Sequence, residues 1–189
     1  MKIVEEVEVA RPIEQVWDLF ANVPELARCL PGAELTEDKG GGVYAGKLSA
    51  KLGPMTATFE GEATVVSDET ARTGSVEGRG TDRQGGSVGQ VKMRYGLEPT
   101  DGGTRIGVDA DVILSGAAAQ FGRTGLIKEM SNRLIGEFVR CIEAKLAAET
   151  PVEAAAVTAG EVKGISLFFS SLVSWIANLL RRITGRGKG

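Results

Sequence analysis

Over most of the stretch from Tyr44 to Val112 the chain alternates apolar and polar residues with period two, with short turns between the runs. Tyr44, Gly46, Leu48, Ala50 and Leu52 share one phase. After Gly53-Pro54, Ala57, Phe59, Gly61, Ala63 and Val65 oppose Thr56, Thr58, Glu60, Glu62 and Thr64. The pattern weakens over 71–80. It resumes as Val91, Met93, Tyr95 and Leu97, turns at Asp101-Gly102-Gly103, and continues as Ile106, Val108, Ala110 and Val112. Clean alternation with tight turns predicts an antiparallel meander with one wet face and one buried face.

The flanking segments complete the layout. Ile3, Glu5, Val7 and Val9 alternate as a first strand, which Arg11-Pro12 ends. Ile13, Val16, Trp17 and Phe20 recur at helical spacing behind Pro12, a residue suited to a helix's first turn. A second short helix is expected over 25–30, stopped by Pro31-Gly32. After the meander, Ile127, Met130, Leu134, Phe138, Cys141, Ile142 and Leu146 mark one face of a long helix spanning about 117–148. Gly122 and Gly125 weaken its first turns and suggest a pliable entrance there. One strand, two short helices, about six strands and one long helix predict an α+β domain over 1–149.

Of the 26 glycines, 21 fall in those 149 residues, about 14% against an average near 7%. Gly46, Gly61 and Gly89 stand on the inward phase, where a missing side chain permits sharp coiling and leaves space. With few aromatic fillers, a curved sheet around a long helix is expected to enclose an apolar cavity. The inward strand positions Tyr44, Leu48, Phe59, Val91, Met93 and Tyr95, with Phe121, Ile127, Met130, Leu134 and Phe138 from the helix, are its expected lining. Tyr44 and Tyr95 could also offer hydroxyls to a ligand oxygen.

Composition excludes several chemistries. The chain has no histidine, so neither Ser-His-Asp nor Cys-His catalysis nor an imidazole metal site is available. Two cysteines, Cys29 and Cys141, cannot build a Cys-rich zinc site. They are expected to be buried free thiols in a reducing cytoplasm, and an acidic N-terminus without an apolar run is no signal peptide. Residues 1–149 carry 17 basic and 23 acidic side chains, which gives no field for nucleic acid.

Residues 150–189 differ. The small-residue stretch 150–164 is expected to be a flexible linker of roughly 20–25 Å. It leads to sixteen uncharged residues, 165–180. As a helix these span about 24 Å, short of a hydrocarbon core of about 30 Å. At about 100° per residue, Ser166, Ser170, Ser171, Ser174, Asn178, Arg181 and Arg182 fall in one arc. Ile165, Phe168, Phe169, Leu172, Val173, Trp175, Ile176, Leu179, Leu180 and Ile183 fill the opposite one, and only Leu167 and Ala177 lie out of place. The segregation predicts a helix lying in the membrane surface. Arg181, Arg182, Arg186 and Lys188 would add attraction to anionic lipid.

Arg11-Pro12-Ile13-Glu14-Gln15-Val16-Trp17, Cys29-Leu30-Pro31-Gly32 and Gly53-Pro54-Met55-Thr56-Ala57-Thr58-Phe59-Glu60-Gly61 resemble the CoxG family of carbon monoxide dehydrogenase proteins, within the START-like (SRPBCC) superfamily. The resemblance covers about 1–148. It implies a helix-grip fold and an accessory protein of a molybdenum carbon monoxide dehydrogenase, and it carries over neither a catalytic residue nor a metal site. Joined to the apolar cavity and the membrane-surface tail, it implies a carrier peripheral on the inner face of the cell membrane. The expected ligand is an isoprenoid quinone, menaquinone or ubiquinone, extracted from lipid and presented to the dehydrogenase. Two rivals stay open. One is a non-catalytic subunit that recruits or helps assemble the dehydrogenase at the membrane. The other is a cyclase- or hydrolase-type enzyme, for which Glu5 is the acid on an inward phase.

Overall fold

The computed structural model describes residues 1–52, 55–123, 126–148 and 150–159, with backbone alone for 51–52, 55, 121–123 and 126–132. The elements run β1 (Lys2–Val9), α1 (Ile13–Ala21), α2 (Val23–Ala27), β2 (Ala33–Gly40), β3 (Val43–Leu52), β4 (Met55–Asp68), β5 (Thr73–Asp82), β6 (Ser87–Thr100), β7 (Gly103–Ser115), a 3-10 helix (Gly116–Arg123), α3 (Leu126–Ala147) and α4 (Pro151–Ala156). The seven strands form one antiparallel sheet ordered β1-β7-β6-β5-β4-β3-β2. The alternation read from the sequence fixes which face each strand buries. Val7 and Val9, Tyr95 and Leu97, and Ile106 and Ala110 turn inward.

The indistinct stretch near 71–80 is β5, a strand of Thr, Gly, Ser, Val, Glu and Arg with little apolar signal. Its register reveals a row of glycines. Gly46 pairs with Gly61, Gly61 with Gly80, and Gly80 with Gly89, so four successive strands lack a side chain at one level. The row is not vacant. A Cβ on Gly61 would lie 1.9 Å from the Arg79 carbonyl oxygen and 2.6 Å from the Gly80 Cα. At Gly89 it would meet only the Phe59 ring at 3.4 Å and the Leu114 side chain at 3.5 Å. The strands coil into contact at one end of the row, and Phe59 covers the other. Gly61→Ala is therefore expected to lower stability by about 3 kcal/mol, because rigid backbone must move. Gly89→Ala should cost within about 1 kcal/mol, because a ring edge can yield. Urea unfolding of the two variants measures the contrast.

Four expectations are corrected. The second helix covers Val23–Ala27, with the Asn22 side chain accepting from the Glu25 N–H. In place of one helix over 117–148, a 3-10 helix covers Gly116–Arg123 and α3 covers Leu126–Ala147. The supposed linker 150–164 begins as structure. Thr150 caps α4 through the Glu153 N–H, Glu153 bonds back to the Thr150 N–H, and Pro151 occupies the first turn. Finally, Cys29 and Cys141 are joined in a disulfide with Cα atoms 5.3 Å apart, 112 residues apart in sequence. Both are fully buried in the main core. The folded path brings α3 across the end of α2, which no sequence spacing discloses.

Polar contacts fix the same corner. Lys145, only 3% exposed at its side chain, donates to Glu25 Oε2 at 2.7 Å and to the Ala154 carbonyl at 2.8 Å. A buried ammonium left without such acceptors would be strongly destabilising. α4 is thus held against α2 and α3.

Candidate ligand-binding site

Among the described residues, buried clusters cover the inner face of the sheet in two separate places. At one end Val9, Val16, Trp17, Phe20, Tyr95, Leu97, Ile106, Cys141 and Ile142 pack together with Cys29. At the other, Ala57 and Ala118 form a small cluster against Ala50, Phe59 and Leu114. The register lays two rows between them. Tyr44, Ala63, Gly78, Val91 and Val112 stand opposite one another, and Val65, Val76, Met93 and Ala110 form the next row. Tyr44, Ala63, Val65, Val91, Met93 and Val112 are half-buried. These inward apolar side chains retain access to solvent, and apolar surface there gains roughly 25 cal/mol per Å² when a ligand displaces water.

The expected lining divides accordingly. Tyr44, Val91 and Met93 belong to this band. Phe59 lies at one end of it, over Gly80 and Gly89. Tyr95 and Phe138 belong to the other end, where the Phe20 ring stands 5.2 Å from Tyr95 and 6.3 Å from Phe138. The hydroxyl end of Tyr95 rests where a Gly74 side chain would be, at 2.3 Å from that Cβ position. Burial pushes its phenol above the ordinary value, so it remains a neutral donor. Leu48 and Leu134 are 48% and 40% exposed, rim positions rather than interior ones. Phe121, Ile127 and Met130 fall where the side chains lie outside the described residues. Ala63, Val65 and Val112 join the band, and only their phase in the alternation signalled it.

Charge is concentrated on the opposite face. Lys47 pairs with Glu60 at 3.3 Å and Lys92 with Glu77 at 3.4 Å across neighbouring strands. A shallow hollow among Glu62, Thr64, Glu77, Arg79, Gln90 and Lys92 is polar and lies on this outer face. Glu5 is inward and half-buried opposite Val108. It lies two strands from Tyr95, whose hydroxyl end rests on the other side, at Gly74 of β5. Among the described residues no group of three or more Asp, Glu or Cys could hold a metal ion.

Residues 6–147 match the profile of CoxG, a family described as a subunit of carbon monoxide dehydrogenase. The chain belongs to the CoxG family. The CoxG match ends at the last residue of α3 and leaves 150–189 outside it. No curated protein matches the chain significantly. Among solved structures, a conserved protein from Geobacillus kaustophilus is similar at a TM-score of 0.67 and 17% identity, covering 78% of this chain and 95% of that one. The Zhui aromatase/cyclase from Streptomyces sp. R1128 is similar at 0.54 and 16%, covering 77% and 93%. Protein CV1439 from Chromobacterium violaceum gives 0.53 and 16%, covering 75% and 97%. These likenesses establish the helix-grip, START-like fold, and a fold hosts many functions.

The residues expected at the membrane, Ile165, Phe168, Phe169, Leu172, Trp175, Ile176, Leu179, Leu180, Arg181 and Arg182, lie outside the described residues. Among the described residues no helix is long and apolar enough to cross a membrane.

Proposed function

We propose that this CoxG-family chain is an accessory carrier that takes an isoprenoid quinone from the membrane and presents it to a molybdenum carbon monoxide dehydrogenase. The observation that carries this reading is the half-buried apolar band between the two core clusters. A polyisoprenoid chain fits such a surface, and its transfer from lipid is near neutral in hydrophobic energy because both environments are apolar. The Tyr44 hydroxyl is the candidate donor to a quinone oxygen, since Tyr95 is committed to the core. Family membership supports the dehydrogenase as partner. The amphipathic pattern of 165–183 supports peripheral attachment to anionic lipid.

Mass spectrometry of the organic extract tests the ligand, on the full chain and on a chain ending at Ala159. The cut is placed there to keep the Ala154 carbonyl on Lys145, the Ala155 carbonyl on Arg28 and the Ala159 N–H on the Arg28 carbonyl. A stoichiometric quinone is expected in both forms. A body that is empty and takes up no added quinone would favour the recruiting role instead. A chemically altered product would favour the enzyme.

A further inference from the structure

The described chain ends at a fixed place. The Ala159 N–H donates to the Arg28 carbonyl at 2.8 Å, and Arg28 Nη1 donates to the Ala155 carbonyl at 3.0 Å. With Lys145 bonded to Ala154, residues 150–159 are stitched to the end of α2. The tether before Ile165 is then five residues, 160–164, rather than fifteen. Fully extended it reaches at most about 20 Å. A tail lying in a bilayer surface would hold the Arg28 corner close to that surface.

Exposed leucines stand at that corner. Leu30, two residues beyond Arg28, is 44% exposed, and Leu48 is 48% exposed. Leu48 pairs with Ala33, and its neighbour Ser49 donates its N–H to the Gly32 carbonyl at 2.8 Å. Cys29 lies between Arg28 and Leu30 and ties the loop to α3. Leu134, 40% exposed, precedes Cys141 by two turns on the same helix face, about 10 Å away along the axis. Leu48 also shares its strand phase with Tyr44, so the corner adjoins the apolar band.

We propose that the corner formed by Leu30 and Leu48 is a bilayer-contacting edge, pressed to the lipid surface by the short tether so that the inner band opens toward the membrane. The inference rests on the reading of 165–189 as a membrane-surface segment. A bilayer is favoured over the tail itself as occupant. The tail's apolar arc holds ten large residues, and this edge offers too little surface to bury them, whereas lipid accepts both together. Glu34, Glu37 and Asp38 follow along β2, so attraction to anionic headgroups comes from the tail and the edge contributes apolar contact.

Tryptophan quenching by vesicles of brominated phosphatidylcholine and phosphatidylglycerol tests the edge. The full chain carries Trp175→Phe, leaving Trp17, which is 3% exposed in the core, as constant background. In Leu30→Trp the added emission is expected to fall by about half or more, as for a side chain in the outer 5–10 Å of the bilayer. In Ile113→Trp, on the outer face of β7 five strands from β2, it should not change. Leu30→Glu should weaken vesicle affinity about three- to tenfold, with Leu30→Met near the parent, which separates the edge from a folding defect in the tryptophan variant. Binding without quenching at position 30, or equal affinity of Leu30→Glu, overturns the edge and leaves the tail standing. Protection of position 30 from acrylamide without vesicles, lost on ending the chain at Ala159, overturns it in favour of the tail as cover. A full chain that ignores vesicles overturns both readings.

Discussion

Breaking the Cys29–Cys141 bond is expected to lower the unfolding free energy by about 4–5 kcal/mol. The bond closes a loop of 112 residues, and the entropy it removes from the unfolded chain is near that figure for about 100 residues. Against a typical total of 5–15 kcal/mol, the loss would leave a marginal domain. Cys29→Ala, Cys141→Ala and the double variant should be destabilised almost equally, because either single change removes the whole bond and the second adds little. Urea unfolding of these three, beside the oxidised and reduced parent, gives the measurement. Identical midpoints for oxidised and reduced parent would mean that the cross-link contributes nothing. Both sulfurs are fully buried, so reduction requires opening of the corner where α2, α3 and α4 meet. The expectation that Cys29 and Cys141 are free thiols fails on this bond.

What could be read in the sequence was what repeats locally. Phase assigned Gly46, Gly61 and Gly89 to the inner face correctly, yet Gly80 escaped because β5 has too few large side chains to show a period. The row became visible only once register aligned the four. Phase also placed Met93 and Tyr95 on the same side without distinguishing them. Tyr95 is sealed by Phe20 from α1, while Met93, one step along the strand face, remains half-buried in the band. That difference depends on which helix passes overhead. The disulfide has the same origin, two residues brought together by the chain's return across the sheet. The start of α4, by contrast, is legible. Small residues over 150–164 suggest a flexible linker, but Thr150-Pro151 followed by Glu153 is a local helix start with both halves of a capping box.

Replacing Phe168, Trp175 and Leu179 together by Glu should release the chain from anionic vesicles, with affinity falling by at least about a hundredfold. Each side chain buried in lipid contributes roughly 1.5–3 kcal/mol. The new carboxylates also offset the attraction of Arg181, Arg182, Arg186 and Lys188, each worth about 1 kcal/mol near such a surface. Ser170→Gln with Ser174→Gln, on the polar arc, should bind as the parent does. Cosedimentation across a salt series checks both, since raised salt screens the basic end and leaves the apolar arc. The three residues lie outside the CoxG match over 6–147, so the variant is expected to unfold at the parent's urea midpoint and still take up added quinone in detergent. Loss of vesicle binding with retained quinone binding would separate delivery from carriage, as a carrier with a dedicated membrane segment requires. Undiminished vesicle binding would remove the tail from the mechanism and leave the leucine corner without the tether that orients it.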